Sequence, residues 1–264
     1  MDFLVEYESF IRFAAFAGVL VLITLIEWKI AFRKSRLLDI RWLSNLSLTF
    51  VNTLLVKVLL PLGAMGVAYW AVMNNVGLFN IINVPTWLAI IGGVLILDWV
   101  IWFQHLLVHR VPLFWRFHRV HHSDPEYDAT TALRFHPVEI LFSMLIKITI
   151  TALFGIPVAA VILFEVILNG MALFNHGNFR LPSRAEAMLN KVWVTPDFHR
   201  IHHSIKPKEH HSNFGFNLSI WDRLFGTCTK PETVIQEQLV IGLTQFDNRA
   251  QTTKISGLLS IPFK

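Results

Sequence analysis

From Val58 to Leu97 the chain runs for 40 residues without a single Asp, Glu, Lys or Arg. One bilayer crossing needs only about 20 residues, so the run is read as two helices forming a hairpin. The stretch MNNVGLFNIINVP (73–85) supplies the turn, rich in Asn and Gly and closed by Pro. The second helix extends through Asp98 to His109, where Arg110 and Pro112 end it.

Two further apolar runs flank this hairpin. The first spans Phe10 to Phe32, interrupted by Arg12, and ends in the basic cluster Lys29, Arg33, Lys34, Arg36 and Arg41. The other, Val138 to Phe174, is broken at Gly155-Ile156-Pro157, where two helices are expected to meet. With 54% hydrophobic residues against about 45–50% in soluble domains, the chain reads as an all-α integral membrane protein. About four membrane helices are expected, a hairpin pair plus a broken fourth run, under a cytoplasmic helical cap. Lys57 falls inside a span and could snorkel toward the basic side if it lies within two or three turns of that interface.

Three segments are expected: membrane helices over 1–89, a histidine-bearing domain over 90–228, and a tail over 229–264 that packs on the cytoplasmic side and helps close the active site. Two crossings separate the 29–41 cluster from the Arg-rich 110–134 segment, so both share one side, and the 73–85 turn on the other side is uncharged. The positive-inside rule therefore places the histidines in the cytoplasm and the N-terminus outside. That fits a bacterial cytoplasmic membrane, or the endoplasmic reticulum in a eukaryote. The net charge of +5 belongs to span ends, and no nucleic-acid motif accompanies it. The acidic opening MDFLVEYE lacks the basic start of a signal peptide. One cysteine, Cys228, excludes an internal disulfide.

The twelve histidines are grouped. His105 and His109 form HLLVH, His118, His121 and His122 form HRVHH, and His199, His202 and His203 form HRIHH. Positions i, i+3 and i+4 share a helix face, so each HxxHH aims three imidazoles into one volume. Thr195 and Pro196 are cap and first-turn residues for the last box, and Ser123-Asp124-Pro125 stops the helix of HRVHH. Eight imidazoles exceed the four to six ligands of one metal and suit two. Imidazole serves Fe, Zn, Cu and Ni, so the residues alone do not choose the metal. Neither Glu-x-x-His nor His-Glu-x-x-His occurs, so histidine itself would have to hold the pair.

HLLVH, HRVHH and HRIHH, followed by NFGFNLSIWDRLFGT (213–227), resemble the fatty acid hydroxylase and sterol desaturase superfamily over roughly residues 90–228. The closing motif looks most like bacterial sterol desaturase-like members and the alkylglycerol monooxygenase branch. The resemblance implies a di-iron site, with Zn as a substitute in purified protein. It implies O2 as co-substrate and oxidation of a lipid C–H bond. It also makes His176 the ninth ligand beside the eight box histidines. A tenth ligand of some members corresponds here to Ala172. With no haem or flavin motif visible, electrons would come from a separate reductase with a ferredoxin- or cytochrome-type carrier.

Other polar residues are candidates for a supporting role. Asp98 precedes His105 by seven residues on the same helix face, Asn175 flanks His176 together with Asn178, and Asp197 precedes His199. Asp98 serves equally as a structural hydrogen bond between helices. Glu139 is a weaker candidate. His136, before Pro137, is read as a helix cap or a further ligand, and His210 and His211 as members of a solvated loop. In WDRLF, Trp221, Leu224 and Phe225 are read as packing and Asp222–Arg223 as surface polarity. Phe103, Leu106 and Leu107 could line a lipid path.

Hydroxylation, desaturation and ether cleavage share this chemistry, since hydroxylation beside an ether oxygen yields an unstable hemiacetal. A metal transporter would place its ligands near the bilayer midplane, whereas HRVHH and HRIHH lie outside the spans. A catalytically silent lipid-binding relative would be expected to have lost box histidines, and all eight are present.

Overall fold

The computed structural model describes residues 6–246 and 248–264, so the first five residues of MDFLVEYE, and Asp247 in the tail, lie outside the description. Regular structure among the described residues is helical. In chain order the helices are α1 Glu8–Ile30, α2 Ile40–Leu59, α3 Gly63–Met73, α4 Leu78–Ile81, α5 Thr86–Arg110, α6 Pro112–His122, α7 Pro137–Phe154, α8 Val158–Asn175, α9 Ser183–Leu189, α10 Pro196–His202, α11 Pro207–His210, α12 Ile220–Leu224, α13 Arg249–Thr253 and α14 Ile255–Ser260.

Five helical segments are long and apolar enough to cross a membrane: α1, the interrupted segment Ile40–Ile81, α5, α7 and α8. The count is five because Val138–Phe174 divides at Gly155, which takes a left-handed φ of 65° and caps α7. α1 is apolar on nearly all sides, and Phe10, Phe13 and Trp28 are each more than two-thirds exposed, as expected of a lipid-facing helix. Small residues let α3, α5 and α8 approach closely: Ala64 and Ala68 are buried with Leu97, Ile101, Ala160 and Phe164. Gly77 lies against Gly155 so tightly that a Cβ at Gly77 would stand 2.1 Å from the Gly155 amide nitrogen.

The buried carboxylate of Glu165 is paired twice. Arg12, the interruption in the first span, lies 3.1 Å from Glu165 on α8, which also accepts from Lys147 Nζ of α7 at 2.9 Å. Lys57 is exposed in the last turn of α2, about 25 Å along the helix from Ile40. It therefore lies nearly five turns from the basic-cluster end, beyond snorkelling reach of it.

The ends of α1, α5 and α8 and the starts of α2 and α7 meet at one end of the bundle. Phe32 N donates to Asn178 O at 2.8 Å there, and Asn52 Nδ2 to Phe135 O at 2.8 Å. α6 and α10 pack at this end, under the tail. Arg119 Nη2 donates to the carbonyls of Ile261 and Lys264, while Ser204 bridges to Ile241. The tail thus closes over the histidine layer.

Candidate metal centre

α5 brings His105 and His109 at its C-terminal end, α6 brings His118, His121 and His122, α8 is capped by His176, and α10 brings His199 and His202 with His203 at its cap. Two of these helices are held by buried arginines. Arg41 bonds Asp128, and its Nη1 donates to Asp124 at 2.9 Å. Arg134 Nε donates to Val120 O at 2.9 Å and its Nη2 to Ser123 Oγ at 2.8 Å, fastening the end of α6. Arg200 Nη1 donates to Asp197 at 2.6 Å and Nη2 to Phe179 O at 2.8 Å, fastening α10. Thr195 caps α10, its Oγ1 accepting from Phe198 N at 3.4 Å.

The nine imidazoles fall into two groups. His105, His109, His118, His122 and His202 form one; His121, His176, His199 and His203 form the other. Within each group one ring nitrogen per residue lies within 4.8 Å of all the others, and every member is buried.

Four rings have a fixed proton. His105 Nδ1 lies 2.7 Å from Phe214 O, His202 Nδ1 2.7 Å from Ser212 O, and His176 Nδ1 2.7 Å from Ala172 O. A carbonyl only accepts, so each Nδ1 carries the hydrogen and each Nε2 presents a lone pair. His118 Nδ1 likewise meets the Glu139 carboxylate at 2.6 Å. The Nε2 atoms of His105 and His118 then face each other at 3.1 Å, lone pair toward lone pair. In the second group the Nε2 atoms of His121, His199 and His203 converge on His176 Nε2 at 3.1, 3.1 and 3.2 Å. That nitrogen has one lone pair and can accept at most one of them well.

Two nitrogens bonded to one ion at about 2.0–2.1 Å stand about 3.0–3.4 Å apart, which matches these spacings. Both nitrogens of His109 and of His122 are buried without a hydrogen-bond partner, as is His202 Nε2. The donor set therefore fits metal cations, which would satisfy atoms that nothing else satisfies.

Burial holds the imidazoles of His121, His122, His199, His202 and His203 well below their ordinary 6.5, and His176 at about 4. All are neutral at physiological pH, as metal ligation requires. Burial alone would raise Asp124, but Arg41 and Arg134 outweigh it and hold the carboxylate at about 2.

Residues 90–227 match the family described as fatty acid hydroxylase. The chain belongs to that family. Among curated relatives, it is 30% identical over 147 residues to the ornithine lipid hydroxylase OlsE of Rhizobium tropici, covering 56% of this chain and 44% of that one. It is 29% identical over 188 residues to the alkylglycerol monooxygenase of Xenopus tropicalis (67% and 37%) and 29% over 195 residues to that of Homo sapiens (71% and 40%). The chain thus spans less than half the length of these relatives. No solved structure matches it.

Within this family domain the other expected residues stand as follows. Asp98 reaches no imidazole; its Oδ2 accepts from Trp221 Nε1 at 2.8 Å, joining α5 to α12. Asn175 donates to Phe216 O at 2.5 Å, and its own carbonyl accepts from Tyr127 Oη at 3.0 Å. Asn178 serves the α1 end, donating to Arg33 O at 2.7 Å. Asp197 pairs with Arg200 and with Arg180 at 2.8 Å. His136 lies outside both groups and caps α7, its Nδ1 accepting from Val138 N at 3.2 Å.

Three readings are corrected. Asp222 is fully buried: it accepts from Phe214 N at 2.9 Å, Gly215 N at 2.7 Å, Trp102 Nε1 at 3.1 Å and Thr227 Oγ1 at 2.6 Å. It shapes the NFG loop whose Phe214 carbonyl holds His105. Arg223 is half-buried and donates to the Asn190 carbonyl at 2.7 Å. His210 is only 9% exposed, so its loop is not solvated there. Glu139, a weaker candidate from the sequence, is the carboxylate that grips a box histidine; its place three residues after His136 was the available signal.

Proposed function

We propose that this chain is a membrane-bound, non-haem di-iron oxygenase that oxidises a C–H bond of a lipid, using O2 and electrons from a separate carrier protein. The observation that supports it best is the lone-pair confrontation of His105 with His118 and the convergence on His176, repeated in two adjacent groups. Family membership and the printed activities of the relatives, a lipid hydroxylase and monooxygenases, support the same reading.

In this reading His105, His109, His118, His122 and His202 hold one iron, and His121, His176, His199 and His203 hold the other. When bound, the pair supplies the oxidising power that an unactivated C–H bond demands. The chain's own residues orient and insulate. Phe214, Ser212, Ala172 and Glu139 fix the proton on the outer nitrogen of their histidines, so the inner nitrogen stays a donor. Phe135 stacks on His121 at 4.4 Å, and Phe214 and Phe216 lie 5.6 and 5.0 Å from His105, keeping water from those rings. On α5, Phe103 is 41% exposed and stacks on Trp99, so the helix that carries His105 also meets the lipid from which a tail would approach.

The basic residues Lys29, Arg33, Lys34 and Arg36 adjoin the histidine end of the bundle, so that end is assigned to the cytoplasm by the positive-inside rule.

The test is comparative lipidomics of cells expressing the wild-type chain or His202→Ala, with iron analysis of both purified proteins. About two irons per wild-type chain and an oxygen-dependent product lost in the variant are expected. Products shortened at an ether would identify cleavage in place of stable hydroxylation. One metal or none, or equal products from both chains, would sink the proposal.

A further inference from the structure

His210 and His211 are the remaining pair of histidines near the centre. Together with His109 they form a third group, one nitrogen from each lying within 4.8 Å of the others. His210 is nine-tenths buried, yet its Nδ1 has no hydrogen-bond partner; neither does His211 Nδ1, nor either nitrogen of His109. The imidazole planes of His210 and His211 stand edge to face, their centroids 4.5 Å apart and 5.6 and 5.8 Å from His109.

The three rings line a cavity of about 360 Å3. Trp115 forms one wall, 5.0 Å from both His109 and His210. Arg110, Thr244 and Gln245 line the cavity and are exposed, so its mouth faces water while its floor is His109. His109 also belongs to the buried group of five. Among the described residues it is the one imidazole common to the cavity and the interior site.

We propose that His210, His211 and His109 form a metal-loading port, which takes a divalent cation from solution and hands it to the buried group of five. The inference rests on the proposed metal centre and adds to it His210 and His211, which lie outside its nine imidazoles, with His109 shared. Transfer is ligand exchange alone. The aquated ion loses waters as neutral imidazoles donate lone pairs, then exchanges His210 and His211 for His105, His118, His122 and His202 while His109 stays bound. No bond to hydrogen breaks and no electron moves.

Among the described residues, those lining the cavity include no carboxylate. It therefore offers little to Mg2+ or Ca2+, whereas imidazole suits Fe2+ and Zn2+. Arg110 at the rim is solvated, and its repulsion is screened at physiological salt.

Chelator-stripped protein in detergent is mixed anaerobically with ferrous ion below saturation, and bound iron is followed in time and at saturation. His210→Ala/His211→Ala should reach the wild-type final content but load at least about tenfold more slowly. Thr244→Trp, which narrows the mouth and keeps every histidine, should also load slowly. Either variant loading at the wild-type rate overturns the port. A double variant whose final content falls with its rate shows that the pair belongs to the resting centre and overturns it too. Wild-type protein that takes up no iron overturns the metal-centre proposal itself, which separates the two failures.

Discussion

His118 Nδ1 lies 2.6 Å from Glu139 Oε1, linking the box helix α6 to the first turn of α7. The carboxylate makes the imidazole a stronger donor at its inner nitrogen and holds its plane. Glu139→Gln keeps the shape and an acceptor but removes the charge. Its affinity for iron should fall about 10–100-fold, read by competition with a chelator, with α-helical content unchanged. Undiminished affinity would mean that Glu139 serves packing alone.

Asp222 organises four donors, two of them backbone amides of the NFG loop. Asp222→Ala leaves those donors buried and unpaired, each costing about 1–3 kcal/mol. Unfolding stability in detergent should drop by about 3 kcal/mol or more, and His105 should lose its fixed carbonyl partner. A thermal midpoint within 2 °C of wild type, roughly the shift from less than 1 kcal/mol, would contradict this account.

His136 separates capping from ligation. His136→Ala should cost about 0.5–2 kcal/mol as a lost helix cap while leaving iron content at the wild-type value. His136→Asn should restore the stability. Loss of an iron in either variant would make His136 a ligand.

Acid should destabilise the metal-free protein in a defined window. His121, His122, His199, His202 and His203 have folded-state values below 6.5, and His176 and His210 lie at about 4, in each case chiefly through burial. The unfolded chain therefore binds more protons than the folded chain between pH 6.5 and 4, and stability falls as pH is lowered through that range. Thermal midpoints of chelator-stripped protein should drop from pH 7 to pH 5, and less so for His199→Gln, which has one such group fewer. A midpoint independent of pH would show that these rings are not buried as neutral bases.

Much of this protein was legible in one dimension. The charge-free run from Val58 to Leu97, the break at Gly155-Ile156-Pro157 and the i, i+3, i+4 spacing of HRVHH and HRIHH carry local information: span length, helix ends and the face each imidazole shares. These were sufficient for a helical membrane protein with converging histidines. Sequence spacing carries no information about which residues from distant segments meet. Asp222 looked like a surface residue because its four donors come from positions 102, 214, 215 and 227, and only folding brings them to one carboxylate. Asp98 was matched to His105 by helical phase, but Trp221, 123 residues away, takes the bond. The division of nine imidazoles into five and four likewise crosses box boundaries, with His118 and His122 in one group and His121 in the other. Adjacent helical residues point about 100° apart, so one box can feed two centres; which ring joins which was decided by the packing of α5, α6, α8 and α10.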